Sequence, residues 1–162
     1  MHPTIYLDTS VVRHLTDPPS TNPITRACQQ LTHLWWDTRC VPNRTYVSKY
    51  VIAEIKRGDP LRMAHRLKII ELLPRFPDRD RTRGIAELLI SGGGLKATAM
   101  KSAEHIACAA QNRSEILLTW NCRDIANAEQ LRLLRILMYA HELYLPELVT
   151  PFELMENRYE NI

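Results

Sequence analysis

The chain has 162 residues, 45% of them hydrophobic, and a formal net charge of +3. That length and apolar content suit one domain with a buried core, taken here as spanning 1–162. No apolar run approaches the roughly 20 residues of a membrane span, the N-terminus lacks the basic-then-apolar plan of a secretory signal, and the mild positive charge permits a polyanion without requiring one.

A cytoplasmic location, with no membrane contact, is therefore expected. Cys28, Cys40, Cys108 and Cys122 form no C-x-x-C pair, and a domain of this size needs no disulfide staples, so reduced thiols are expected. His105 and Cys108 share a helical spacing that would suit zinc, but no two further ligands complete such a site.

In chain order, "TIYL" (4–7) is a short β-prone run, and "DTSVVRHLT" after it opens with capping residues and continues as helical turns. The stretch 25–38 places Ala27, Leu31, Leu34 and Trp35 at helical spacing. "TYVS" (45–48) is a second strand, Ser48 caps the helix "KYVIAEIKRG", and "GDP" stops that helix and starts another. Residues 60–73 and 82–90 are predicted helical, "SGGGL" (91–95) is a break, and 96–112 is an Ala-rich helix. "ILLT" (116–119) has the continuous apolar character of a buried parallel strand. A helix over about 125–140, a last strand "ELVT" and a short terminal helix "PFELM" complete the chain. Alternating strands and helices predict an α/β fold with a largely parallel sheet and right-handed crossovers.

In such sheets the functional crevice lies beyond the carboxyl ends of the strands. "IYL" runs into Asp8, Thr9 and Ser10, "YVS" leads within two helical turns to Glu54, and "ILLT" runs into Asn121 and Asp124. A rim of carboxylate, amide and hydroxyl oxygens suits Mg²⁺ or Mn²⁺, hard cations that prefer oxygen and keep several waters. Such an ion can acidify a water and neutralise charge on a phosphodiester. Each residue also has a plainer reading: Asp8 as a helix N-cap, Glu54 as a solvated helix residue, and the cluster after "ILLT" as a capping turn.

The start "YLDTSVV", Glu54 within "SKYVIAEIKRGDP", "SAEHIACAA" running into "LLTWNCRDIANA", and the ending "LPELVTPFELM" together resemble the PIN-domain family, in particular VapC-type toxins of bacterial toxin-antitoxin pairs. The resemblance implies a three-layer α/β/α domain with a central, mainly parallel sheet. It also implies an Mg²⁺- or Mn²⁺-dependent ribonuclease acting on RNA, often a homodimer, held inactive by an antitoxin protein. Carried over by position, Asp8 and Glu54 match the first two family acids, and Asn121 the place where Asp or Asn stands, making these three the implied metal ligands. Asp124 matches a nearby polar position that completes the catalytic set. Thr9, Ser10 and Thr119 match hydroxyl positions bordering the pocket.

The third acid departs from that pattern. Relatives read like "D-A-x-H-x-A" where this chain reads "S-A-E-H-I-A", so Ser102 stands in place of the carboxylate. Glu104 is about 200° of helical rotation away and is expected to face elsewhere, whereas His105 stays on the pocket side. A weakened metal site, a shift towards Mn²⁺, or a catalytically silent module that binds RNA or an antitoxin-like partner is the consequence weighed against the enzyme. A phosphatase with Asp8 as nucleophile fits poorly, because Ser10 stands where a second acid is wanted. Trp35 and Trp36 are candidates for base stacking or for the core, and Lys56, Arg57 and Arg123 for phosphate contacts or helix-end charges.

Overall fold

The computed structural model describes residues 2–155. Strands β1 (Ile5–Leu7), β2 (Thr45–Tyr46), β3 (Ile116–Leu118) and β4 (Glu147–Val149) form one sheet in the order β2-β1-β3-β4, every pairing parallel. Helices α1 (Thr9–Thr16) and α2 (Pro23–Thr38) follow β1. Helices α3 (Lys49–Lys56), α4 (Pro60–Ile70), α5 (Thr82–Ser91) and α6 (Met100–Gln111) link β2 to β3, and α7 (Ala128–Ala140) links β3 to β4. The sheet is central and flanked by helices, a three-layer α/β/α arrangement. Among the described residues no helix is long and apolar enough to cross a membrane.

The sheet is short but deeply buried: Tyr6, Leu7, Leu117 and Leu118 have no solvent exposure, and Val11, Val12, Val51, Ile55 and Ile106 pack around them from the helices. Covering both faces of a parallel sheet requires such continuous apolar strands. The order places β1 between β2 and β3, so the connections leaving β1 and β3 run to opposite sides of the sheet, and a crevice opens between those two strands where they diverge. Leu7 is in register with Leu118, so the next residues on each strand, Asp8 and Thr119, emerge side by side at that crevice.

Several predicted boundaries move for local reasons. Helix α4 ends at Ile70 rather than at 73: Leu72 and Leu73 make i→i−3 bonds to Ile69 and Ile70, and Pro74 disfavours helical geometry in the residue before it. The Ala-rich helix begins at Met100, because residues 96–99 form the turn that redirects the chain from α5, closed by Ala99 N–H to Lys96 C=O. Helix α7 begins only at Ala128, capped by Asn127, since 121–126 form a compact turn on the Asn121 carbonyl. The terminal segment "PFELM" is a pair of turns and not a helix; Glu153 reaches back to the Thr150 amide, and the bonds run Glu153 to Thr150 and Met155 to Phe152. The triple glycine is a tight connection: Gly93 has φ +81°, while a Cβ on Gly94 would come within 2.9 Å of Leu134 and Leu137, so α7 packs directly on the backbone there.

Candidate active site

Asp8 leaves β1 and caps α1, accepting the Ser10 amide at 3.3 Å through Oδ2. The same oxygen accepts the Ser10 hydroxyl at 2.5 Å and the Thr119 hydroxyl at 2.8 Å. Three donors on one oxygen fix the carboxylate and leave Oδ1 directed at the imidazole of His105, whose Nε2 lies 3.4 Å away. The plain capping role and a pocket role are thus served by different oxygens of one side chain.

Glu54, near the end of α3, meets the same nitrogen: His105 Nε2 donates to Glu54 Oε1 at 2.8 Å. Two carboxylates 46 positions apart are joined by one ring from α6. His105 is itself held from behind. Its Nδ1 lies 2.6 Å from the Tyr6 hydroxyl, which lies 2.6 Å from Ser48 Oγ. Ser48 caps α3 by accepting the amides of Tyr50 and Val51. With the imidazole protonated, both ring nitrogens donate, and Tyr6 accepts from Nδ1 and donates its own O–H to Ser48. The chain of bonds is directional and lies in the core.

The electrostatics agree with that assignment. Burial pushes the His105 pKa down, but the charge of Asp8 and the bond and charge of Glu54 outweigh it and hold the imidazole above its ordinary value. Burial pushes Glu54 up, while the His105 bond and charge, with smaller help from Thr9 and Arg13, bring it below its ordinary value. Burial also raises the Tyr6 phenol far above its usual range, so it stays a neutral relay.

The remaining predicted residues form a second network beside the first. Asn121 Nδ2 donates to Ser102 Oγ at 3.1 Å, Ser102 Oγ reaches Asp124 Oδ2 at 3.5 Å, and the Asp124 amide donates to Asn121 Oδ1 at 3.0 Å. The Asn121 amide donates to Thr119 Oγ1 at 2.9 Å, tying this network to Asp8. The carboxamide of Asn121 therefore braces the turn and positions Ser102 and Asp124. Glu104 turns away, with one oxygen 3.9 Å from Arg83 on α5, as two residues of helical rotation require. Arg123 lies 4.0 Å from Asp124, whereas Lys56 and Arg57 are exposed at the end of α3.

His105 Nε2 meets the two carboxylates rather than Cys108, and burial pushes the Cys108 thiol up to about 11. Among the described residues no group of three or more His, Cys, Asp or Glu is placed to hold a metal ion. A hard divalent ion at this edge would rest on Asp8 and Glu54, with water and substrate phosphate completing its shell, a donor set that Mg²⁺ accepts. The Thr9 hydroxyl, buried beside Asp8, stands near enough to Glu54 to help lower its pKa, so a third oxygen borders the two acids. The residues fit a sparsely ligated Mg²⁺ or Mn²⁺ that competes with His105, and do not fit an ion caged by protein.

No protein family model matches the chain, and no curated protein matches it in sequence. The site therefore stands on its own geometry. Sequence reading placed Asp8, Glu54, His105 and Thr119 at one rim but overlooked Tyr6 and Ser48. The signal for Tyr6 was present, since residues 6 and 8 of a strand share a face.

Proposed function

We propose that this protein is a metal-dependent endoribonuclease of PIN type, similar to the VapC toxins, that hydrolyses RNA phosphodiester bonds at the carboxyl edge of its sheet. The observation that supports it is the convergence of Asp8 and Glu54 on His105 Nε2, at 3.4 and 2.8 Å, beside the switch point of a parallel α/β sheet. When bound, Mg²⁺ or Mn²⁺ supplies an acidified water and neutralises charge on the phosphodiester. Asp8 and Glu54 would hold that ion, while Asn121 braces the turn that carries Asp124. Ser10 and Thr119 orient Asp8 by donating to it. His105 donates between the carboxylates and so sets the charge an ion would meet there, while Tyr6 fixes its ring. Asp124 orients Ser102 and adds negative charge at the rim.

The test is cleavage of mixed single-stranded RNA in Mg²⁺, in Mn²⁺ and in EDTA, with Asp8→Asn purified in parallel. Metal-dependent cleavage absent from the variant supports the enzyme; equal cleavage by both proteins, or none by either, overturns it. A second reading, a silent module that binds RNA or an antitoxin-like protein, is favoured by Ser102, whose hydroxyl contributes no charge where the resemblance expects a carboxylate. The homodimer and the cytoplasmic location belong to the same proposal.

Ser102→Asp distinguishes the two. A carboxylate added beside Asp124 and Asn121 raises the site's charge, and Mn²⁺ affinity measured by calorimetry should rise roughly tenfold. An unchanged affinity would mean that this face of α6 does not serve the ion.

A further inference from the structure

At the same rim, a second feature is not used by the acids. The indole of Trp120 and the imidazole of His14 are stacked, with ring centroids 5.7 Å apart and planes 26° apart. Both side chains are partly exposed. Trp120 is anchored twice: its amide donates to Ser10 Oγ at 2.9 Å, and its indole Nε1 donates to Thr32 Oγ1 of α2 at 2.7 Å. His14 is anchored too, because a carbonyl can only accept, so His14 Nδ1 donates to the Ser10 carbonyl at 2.8 Å. In the neutral ring that bond leaves the lone pair on Nε2.

Packing alone does not require this arrangement. Trp35, on α2, is buried in the core, whereas Trp120 and His14 sit partly exposed at a polar edge in fixed orientation. Ser10 is the common anchor: its hydroxyl holds the Trp120 backbone and the Asp8 carboxylate at once, and its carbonyl holds His14. The aromatic step is therefore one residue's hydrogen bonds away from Asp8. Arg13, exposed on the same helix, is close enough to lower the Glu54 pKa and adds positive charge near that acid.

We infer that the His14–Trp120 stack is a base-binding step that receives one unpaired base of a single-stranded RNA next to Asp8, setting which strand form reaches the acids. The inference rests on the nuclease reading for its substrate and names the part of the site that would select it. An offset ring pair extends readily by a third ring, and every base offers a π-face. A base inside a duplex has no free face to offer. The Nε2 lone pair of His14 adds an acceptor for a base amino group.

The test uses the full chain in EDTA, so that nothing is cleaved, and reads fluorescence anisotropy of three labelled probes: a short mixed single-stranded RNA, a chain of abasic ribose phosphates of equal length, and the RNA as a duplex. His14→Ala should weaken the single-stranded RNA about tenfold, the scale of one lost stack. The abasic and duplex probes should be unmoved, and His14→Tyr should restore single-strand binding. Trp120→Phe, which keeps a ring but loses the Thr32 bond, should give an intermediate loss. Equal weakening of RNA and abasic probes, an unchanged affinity, or failure of the unaltered protein to bind single-stranded RNA overturns the inference. Base-dependent binding without metal-dependent cleavage would sink the nuclease reading and leave the step standing. Cleavage with no base dependence would do the reverse.

Discussion

Asp8→Asn should leave the fold intact and reduce metal-dependent RNA cleavage on the order of a hundredfold or more, the loss expected when one of two carboxylates that neutralise transition-state charge is removed. Asparagine caps a helix as well as aspartate does. The donors from Ser10 and Thr119 still find an oxygen, so α1 and the β1–β3 junction keep their hydrogen bonds. What disappears is the charge on the oxygen that faces His105. Single-turnover rates in Mg²⁺ and Mn²⁺, alongside thermal midpoints of both proteins, separate this from unfolding. Retained cleavage would show that Asp8 is a cap and nothing more, and a large drop in midpoint would show that its charge beside His105 holds the fold.

Replacing His105 with alanine should cost about 3 kcal/mol of stability near neutral pH in EDTA, the scale of breaking a buried ion pair by removing one partner. His105 is buried, and its loss leaves Asp8 and Glu54 facing one another with no cation between them. Denaturant unfolding of both proteins across pH checks the sign. The His105 pKa is raised from its ordinary 6.5, so its contribution is complete below 6.5 and fades as pH rises through the folded value. The Glu54 pKa is lowered from 4.5, so its contribution is complete above 4.5 and fades as pH falls through the folded value. The gap between the two proteins should therefore be widest around pH 4.5 to 6.5 and narrow on both sides. Adding Mg²⁺ or Mn²⁺ should raise the midpoint of His105→Ala more than that of the unaltered protein, because a divalent ion then supplies the missing positive charge. A pH-independent gap would indicate that the ring contributes only packing.

Ser102 and His105 lie three residues apart on α6 and divide the site between them. The hydroxyl makes the third position neutral and joins it to Asn121 and Asp124. The imidazole places a proton between the two acids that remain. An ion at this site meets an internal competitor, which makes its occupancy depend on pH as well as on concentration.

The alternation of four strands with helices was legible in the sequence, though the terminal "PFELM" proved to be turns and not a helix. The continuous apolar run "ILLT" has the character of a strand buried on both faces, Ser48 stands where a cap is wanted, and helical spacing puts Glu104 and His105 on different faces of α6. Convergence of Asp8 and Glu54 was legible because both follow strands of one parallel sheet. Only the tertiary structure decided the partners. Whether Asp8 met a carboxylate, a hydroxyl or an imidazole depended on register between β1 and β3, and the Leu7–Leu118 pairing brought Thr119 to it. The relay from Ser48 through Tyr6 to His105 joins three residues 42 and 99 positions apart, a separation that no local pattern encodes. The same holds for the stack of His14 on Trp120, since an aromatic residue after a strand and a histidine on a helix become a site only when the sheet sets them side by side.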